Sequence, residues 1–152
     1  MLGRACLFSG FEVQDFITRT QENDVAYVKI GKEPILSRGL PGNPDFVLVF
    51  GRTLNIKEIF RNITNSSAIF NAEEKPKLDM LKRNKIKVFH TDAFGIGKRF
   101  LGRYTPCMAM LGALAKKYTK LSMKCIKSSI QYELADAEPS IACMEEGYRK
   151  VS

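Results

Sequence analysis

Residues 45–51 read DFVLVFG, an apolar run of five bounded by an aspartate and a glycine. The run is too short for a buried helix and suits a strand covered on both faces. Two more runs of this kind follow, SAIFNA at 67–72 and IKVFHTDA at 86–93. Between the first two lies NIKEIFRNI (55–63), with Ile56, Ile59, Phe60 and Ile63 at helical spacing behind Asn55 as an N-cap. Between the second two, KPKLDMLKRN (75–84) sets Leu78 and Leu81 on one face of a short helix or turn. Buried strands alternating with helices are the pattern of βαβ units. The expected fold class is therefore α/β, a three-layer sandwich with a largely parallel central sheet.

Working outward, VAYVKIGKEPIL (25–36) alternates around Gly31 and Lys32, predicting a β-hairpin with Val25, Tyr27 and Lys29 on one face. SRGLPGNP (37–44) reads as a loop. Residues 1–24 show no clear period. Downstream the C-terminal portion is helical. AFGIGKRFLG (93–102) is expected to be a short or irregular helix, broken by glycines. TPCMAMLGALAKKY (105–118) and LSMKCIKSSIQYEL (121–134) follow, the latter with Leu121, Ile126, Ile130 and Leu134 in its stripe and Ser122 as cap. Pro139 should end that section, and IACMEEGYRKV (141–151) forms a last short helix with Lys150 near its negative end. The whole reads as a single domain, 1–152, with 1–24 poorly defined.

With 152 residues, 45% hydrophobic and 26% charged, the chain can close a core without staples. No apolar run approaches the roughly 20 residues of a membrane-spanning helix, and Ser9, Gly10 and Glu12 interrupt any signal-peptide core. The expectation is a cytoplasmic protein without a membrane span. Cys6, Cys107, Cys125 and Cys143 are widely spaced without a CxxC pair, so they read as buried thiols, with no metal site in this chain. The formal charge of +8 favours an acidic partner. The lysines and arginines are scattered, with no aromatic-interleaved stripe, so nucleic acid, which would rest on charge alone, is not the expected partner.

The one histidine, His90, stands at the carboxyl end of the third strand beside Thr91 and Asp92, where open α/β sheets bind ligands. No nucleophile accompanies the pair, and no catalytic residue is assigned. Gly95, Gly97 and Lys98 follow the strand, and with Thr91 and Asp92 they are the candidates for cofactor binding. They match neither a Walker loop nor GxGxxG. Glu73 and Glu74 in NAEEKP could present paired carboxylates at the same edge, although solvated loop acids are commoner.

In order, NPDFVLVF, NAEEKP, IKVFHTDAFGIG, TPCMAMLGALAKK with LSMKCIKSSI, and MEEGYRK resemble the gamma subunit or domain of 2-oxoacid:ferredoxin oxidoreductases, pyruvate synthase among them. The resemblance covers roughly residues 25–151, and AMLGALAK (109–116) is its most specific part. It implies an oxidoreductase complex that decarboxylates a 2-oxoacid to acyl-CoA and passes electrons to ferredoxin. Thiamine diphosphate, Mg²⁺, 4Fe–4S clusters and coenzyme A serve the whole complex, and none is expected in this chain. Its partners would be alpha, beta and delta subunits, with ferredoxin reached indirectly. The family's opening strand and GRGGQG turn have no counterpart in LFSGF (7–11), so either the chain starts late relative to the family or that unit is missing. The family commonly has Asn-Thr where this chain has Cys107 and Met108, which cap a helix poorly, at about 1 kcal/mol.

The resulting expectation is a supporting subunit without a complete active site of its own. The alternative is a truncated relative acting as a nucleotide- or CoA-binding or assembly module. Pro106 starts the small-residue helix. Ala109, Gly112, Ala113 and Lys116 then mark an expected packing surface, within the domain or toward a neighbouring subunit.

Overall fold

A computed structural model describes residues 1–19, 24–36, 42–52 and 54–152. In chain order the elements are α1 (Leu2–Phe8), β1 (Glu12–Arg19), β2 (Asp24–Gly31), β3 (Phe46–Val49), α2 (Ile56–Ile59), β4 (Ser67–Asn71), α3 (Asp79–Arg83), β5 (Lys87–Thr91), α4 (Ala93–Leu101), α5 (Cys107–Lys117), α6 (Met123–Glu133) and α7 (Glu138–Lys150). They fall into two compact units, Met1–Gly42 with Lys120–Ala135, and Asn43–Thr119 with Asp136–Ser152. No helix among the described residues is long and apolar enough to cross a membrane.

In the first unit, β1 and β2 pair antiparallel from Glu12↔Gly31 to Arg19↔Asp24. The hairpin therefore lies upstream of its expected place, and Gly31 ends a strand where the sequence suggested a turn. The chain bends after Gly31, at Lys32 and Glu33, and Pro34 lacks the N–H a returning strand would need. The expected loop at 37–44 lies largely outside the described residues. Helix α1 packs on β1 and on α6, with Ala5, Cys6, Ile126 and Ile130 wholly buried. Buried Ser129 donates a hydrogen bond to the Met1 carbonyl at 3.0 Å. At the edge of this contact Arg4 lies 4.2 Å above the Tyr132 ring.

The second unit holds a parallel sheet in the order β3-β4-β5, as the three apolar runs predict. On one face Ala68 and Phe70 join Val49, Phe60, Leu81 and Ile86 in a core supplied by α2 and α3. Phe60 stacks on Phe70 with centroids 5.9 Å apart. The other face carries Ile69 in register with Phe89, and α5 packs there. Lys117 Nζ sits 4.0 Å from the Phe89 centroid, and Tyr118 meets Phe46 edge-on at 5.8 Å. Helices thus cover both faces, making three layers.

Several helix boundaries differ from expectation. Helix α4 is a regular nine-residue helix rather than a broken one. Its glycines make room for neighbours, since a Cβ on Gly95 would strike the Asp92 carboxylate and one on Gly97 the Thr105 carbonyl. Gly102, at φ 67°, closes it in the left-handed region. Pro139 opens α7 rather than only ending what precedes it, and α7 runs 13 residues. The Ser122 side chain makes no capping hydrogen bond, whereas Asn55 accepts from Glu58 N–H at 3.4 Å as expected. Cys6 and Cys143 are buried, and burial pushes both thiols up to about 11. Cys125 is half-buried and Cys107 exposed, because position 107 is the first residue of α5, ahead of the helix's buried stretch.

The tightest packing joins α5 to α7. A Cβ on Gly112 would overlap the Met144 carbonyl and one on Gly147 the Ala109 carbonyl, so the two backbones touch. Seven successive residues of α5, Ala109 through Ala115, are buried. Lys116 Nζ reaches the Arg149 and Val151 carbonyls, each at 3.4 Å, and satisfies part of the α7 C-terminus. Helix α7 is also tied to α4. Glu146, 5% exposed, accepts hydrogen bonds from Arg99 and from Arg149, whose Nε lies 2.9 Å away. Burial alone would push its carboxyl up, but these hydrogen bonds and the two positive charges outweigh it and hold the group below its usual range.

Gly112→Ala and Gly147→Ala should each lower stability by about 1–3 kcal/mol in urea unfolding, although alanine is the better helix former by about 1 kcal/mol. Gly42→Ala, where a Cβ meets nothing within 4 Å, serves as the neutral control. Gly112→Leu should abolish folding, and a soluble, fully stable Gly112→Leu protein would disprove the backbone contact. Glu146 should contribute stability that is full above the unfolded carboxyl value of about 4.3 and is lost as pH falls below it through the lower folded value. Urea midpoints of the wild type and Glu146→Gln should therefore differ most at neutral pH and converge in acid. A gap that stays constant from pH 7 to pH 3 would contradict this.

Candidate functional site

At the carboxyl ends of β4 and β5 the second unit opens a cleft of about 440 Å³. Four segments build it. The end of β5 gives His90 and Thr91, and the segment after β4 gives Glu73. One face of α4 gives Asp92, Gly95, Ile96 and Arg99, at the i, i+3, i+4, i+7 spacing of a helical stripe. The last turns of α7 add Glu146 and Lys150.

Local chemistry fixes the floor. Asp92 caps α4, its Oδ1 accepting from Gly95 N–H at 3.0 Å. Asn71, 2% exposed at the end of β4, accepts from Phe94 N–H at 3.2 Å and donates to the Phe50 carbonyl at 2.8 Å. The first N–H groups of α4 are thus met by side chains rather than left for a ligand. Arg52 crosses from beyond β3 to Asp92 at 2.7 Å and Glu73 at 3.2 Å, its guanidinium 5.2 Å from the Phe94 centroid.

His90 is held on both ring nitrogens, with Nδ1 3.4 Å from the Ala72 carbonyl and Nε2 3.1 Å from Ser152 Oγ. Its backbone exchanges two hydrogen bonds with Ser152, at 3.0 and 3.2 Å, along the outer edge of β5. Thr91 is 3% exposed, and its hydroxyl has no hydrogen-bond partner among the described residues.

Of the residues singled out from sequence, His90, Thr91, Asp92 and Gly95 come together in the cleft. Gly97 faces Thr105, and Lys98 turns to Tyr104, whose hydroxyl it meets at 2.7 Å. Glu73, weighed as a loop acid, lines the cleft, while Glu74 does not. Arg99, Glu146 and Lys150 escaped the sequence reading. The helical stripe counted from Asp92 could have found Arg99, but nothing local points to α7. Pro106 precedes the first turn of α5, and Ala109 and Gly112 face α7 of the same chain. Ala113 is buried, and Lys116 holds the end of α7. Among the described residues no group of three or more His, Cys, Asp or Glu side chains stands together as a metal ion would require. That donor set does not fit an iron–sulfur cluster.

Similarity to known proteins extends over nearly the whole chain. It matches in fold the crystal structure of the pyruvate oxidoreductase subunit PORC of Thermotoga maritima, at a TM-score of 0.82 and 22% identity, covering 99% of this chain and 86% of that one. It also matches the 2-oxoglutarate:ferredoxin oxidoreductase of Magnetococcus marinus, described with 2-oxoglutarate, coenzyme A and succinyl-CoA bound. There the TM-score is 0.70 at 15% identity, over 97% of this chain and 27% of that one. No curated protein sequence matches. The family model for pyruvate ferredoxin/flavodoxin oxidoreductase matches residues 1–150. On that match the chain belongs to the pyruvate ferredoxin/flavodoxin oxidoreductase family.

Proposed function

We propose that this chain is the gamma subunit of a cytoplasmic 2-oxoacid:ferredoxin oxidoreductase. The assembled enzyme decarboxylates pyruvate or a related 2-oxoacid, transfers the acyl group to coenzyme A and passes the electrons to ferredoxin. The observation that carries this reading is the family match over residues 1–150. The fold shared with a pyruvate oxidoreductase subunit over 99% of this chain supports it.

Following the family resemblance, thiamine diphosphate, Mg²⁺ and the 4Fe–4S clusters are assigned to alpha, beta and delta partners, and ferredoxin is reached through them. The role of this chain is then to support the assembly. The cleft is consistent with that division, because its acids and its histidine are engaged in holding the fold and offer no free base beside a nucleophile. The formal charge of +8 suits docking on acidic neighbours.

Tagged in its source organism and purified at moderate salt, the chain should bring down a thiamine-binding subunit and a ferredoxin-like subunit. The purified complex should reduce ferredoxin when given a 2-oxoacid and coenzyme A, and the isolated chain should not. Comparing pyruvate with 2-oxoglutarate identifies the substrate. A chain that purifies alone, with no such activity in any fraction that holds it, would overturn the assignment.

A further inference from the structure

The cleft has an uneven balance of used and unused polar groups. Its three carboxylates are all engaged: Glu73 and Asp92 by Arg52, and Glu146 by Arg99 and Arg149. The His90 ring is held by Ala72 and Ser152. What remains is donor capacity. The Lys150 side chain has no hydrogen bond or ion pair among the described residues. Arg99 gives Nη2 to Glu146, leaving the other N–H groups of its guanidinium to be used. The Thr91 hydroxyl is buried and unpartnered. A buried hydroxyl without a partner is costly, at about 1–3 kcal/mol, and such a group in a native fold calls for an explanation.

We propose that this cleft binds the oxyanion group, phosphate or carboxylate, of a small metabolite. Lys150 and Arg99 supply charged donors, and Thr91 supplies a neutral one from the floor. Glu146 is a positioning residue: it turns the Arg99 guanidinium toward the cleft without neutralising the wall, because Arg149 already balances its charge. The lining carboxylates Glu73, Asp92 and Glu146 are countered by Arg99 and Lys150 in the cleft and by Arg52 and Arg149 just outside it, so the positive charges outnumber the negative ones only when those two outer arginines are included. The volume of about 440 Å³ suits a ligand of metabolite size. All of these groups belong to this chain, so the site does not depend on the proposed assembly.

The test is an amide NMR titration of the full ¹⁵N-labelled chain with sodium phosphate and sodium acetate, each against sodium chloride at equal ionic strength. Saturable shifts should centre on Thr91, Asp92, Gly95 and Lys150, and the tighter of the two oxyanions names the source. Lys150→Gln should weaken binding about tenfold, the worth of one charge-assisted hydrogen bond. Thr91→Val, which keeps the side-chain shape, should weaken it while leaving the rest of the spectrum in place. The assignment is overturned if chloride produces the same shifts, if neither oxyanion saturates, or if either variant binds as the wild type does.

Discussion

The second unit depends on the contact of two helix backbones where Gly112 meets Met144 and Gly147 meets Ala109. Each glycine gives up about 1 kcal/mol of helix propensity against alanine. Close approach offsets this by burying seven successive residues of α5. Packed interiors respond to a single added methyl group, so neither partner can change alone.

The cleft inherits its geometry from that contact. Helix α7 reaches the ends of β4 and β5 because α5, seated on β4 and β5, holds it there. Only then do Glu146 and Lys150 stand beside α4, and only then can Glu146 hold Arg99. A buried carboxylate is tolerable here because two arginines satisfy it. The same pairing that removes Glu146 from any ligand chemistry leaves Lys150 and part of Arg99 with donors to offer.

Much of the fold was legible because its signals are local. Phe46–Val49 is apolar throughout, Ser67–Asn71 and Lys87–Thr91 have apolar centres as strands covered on both faces do, and Asn55 caps where a short polar side chain should. The hairpin was misplaced because Gly31 and Lys32 look like a turn, whereas the true partner strand, Glu12–Arg19, has no clean alternation. Half of the cleft was legible for the same reason. Thr91, Asp92 and Gly95 follow a strand in sequence, but Glu146 lies 47 residues from Arg99, and no local pattern announces so distant a pairing.

Capping shows how far the local and distant terms diverge. The residues at the start of α5 cap poorly by composition, and no side-chain hydrogen bond caps α5, α6 or α7. A missing cap costs about 1 kcal/mol, while burying one large apolar side chain contributes about 1.5–3 kcal/mol, so the burial of Met110, Leu111 and Leu114 outweighs the loss several times over. The consequence is directional. Helix α5 draws its stability from α7 and the sheet rather than from its own ends, so it has no reason to persist before α7 docks. Helix α4, by contrast, has both Asp92 and Asn71 at its start. The element that begins at the cleft is therefore the one whose position is set locally, and the distant contact supplies the wall that closes on it.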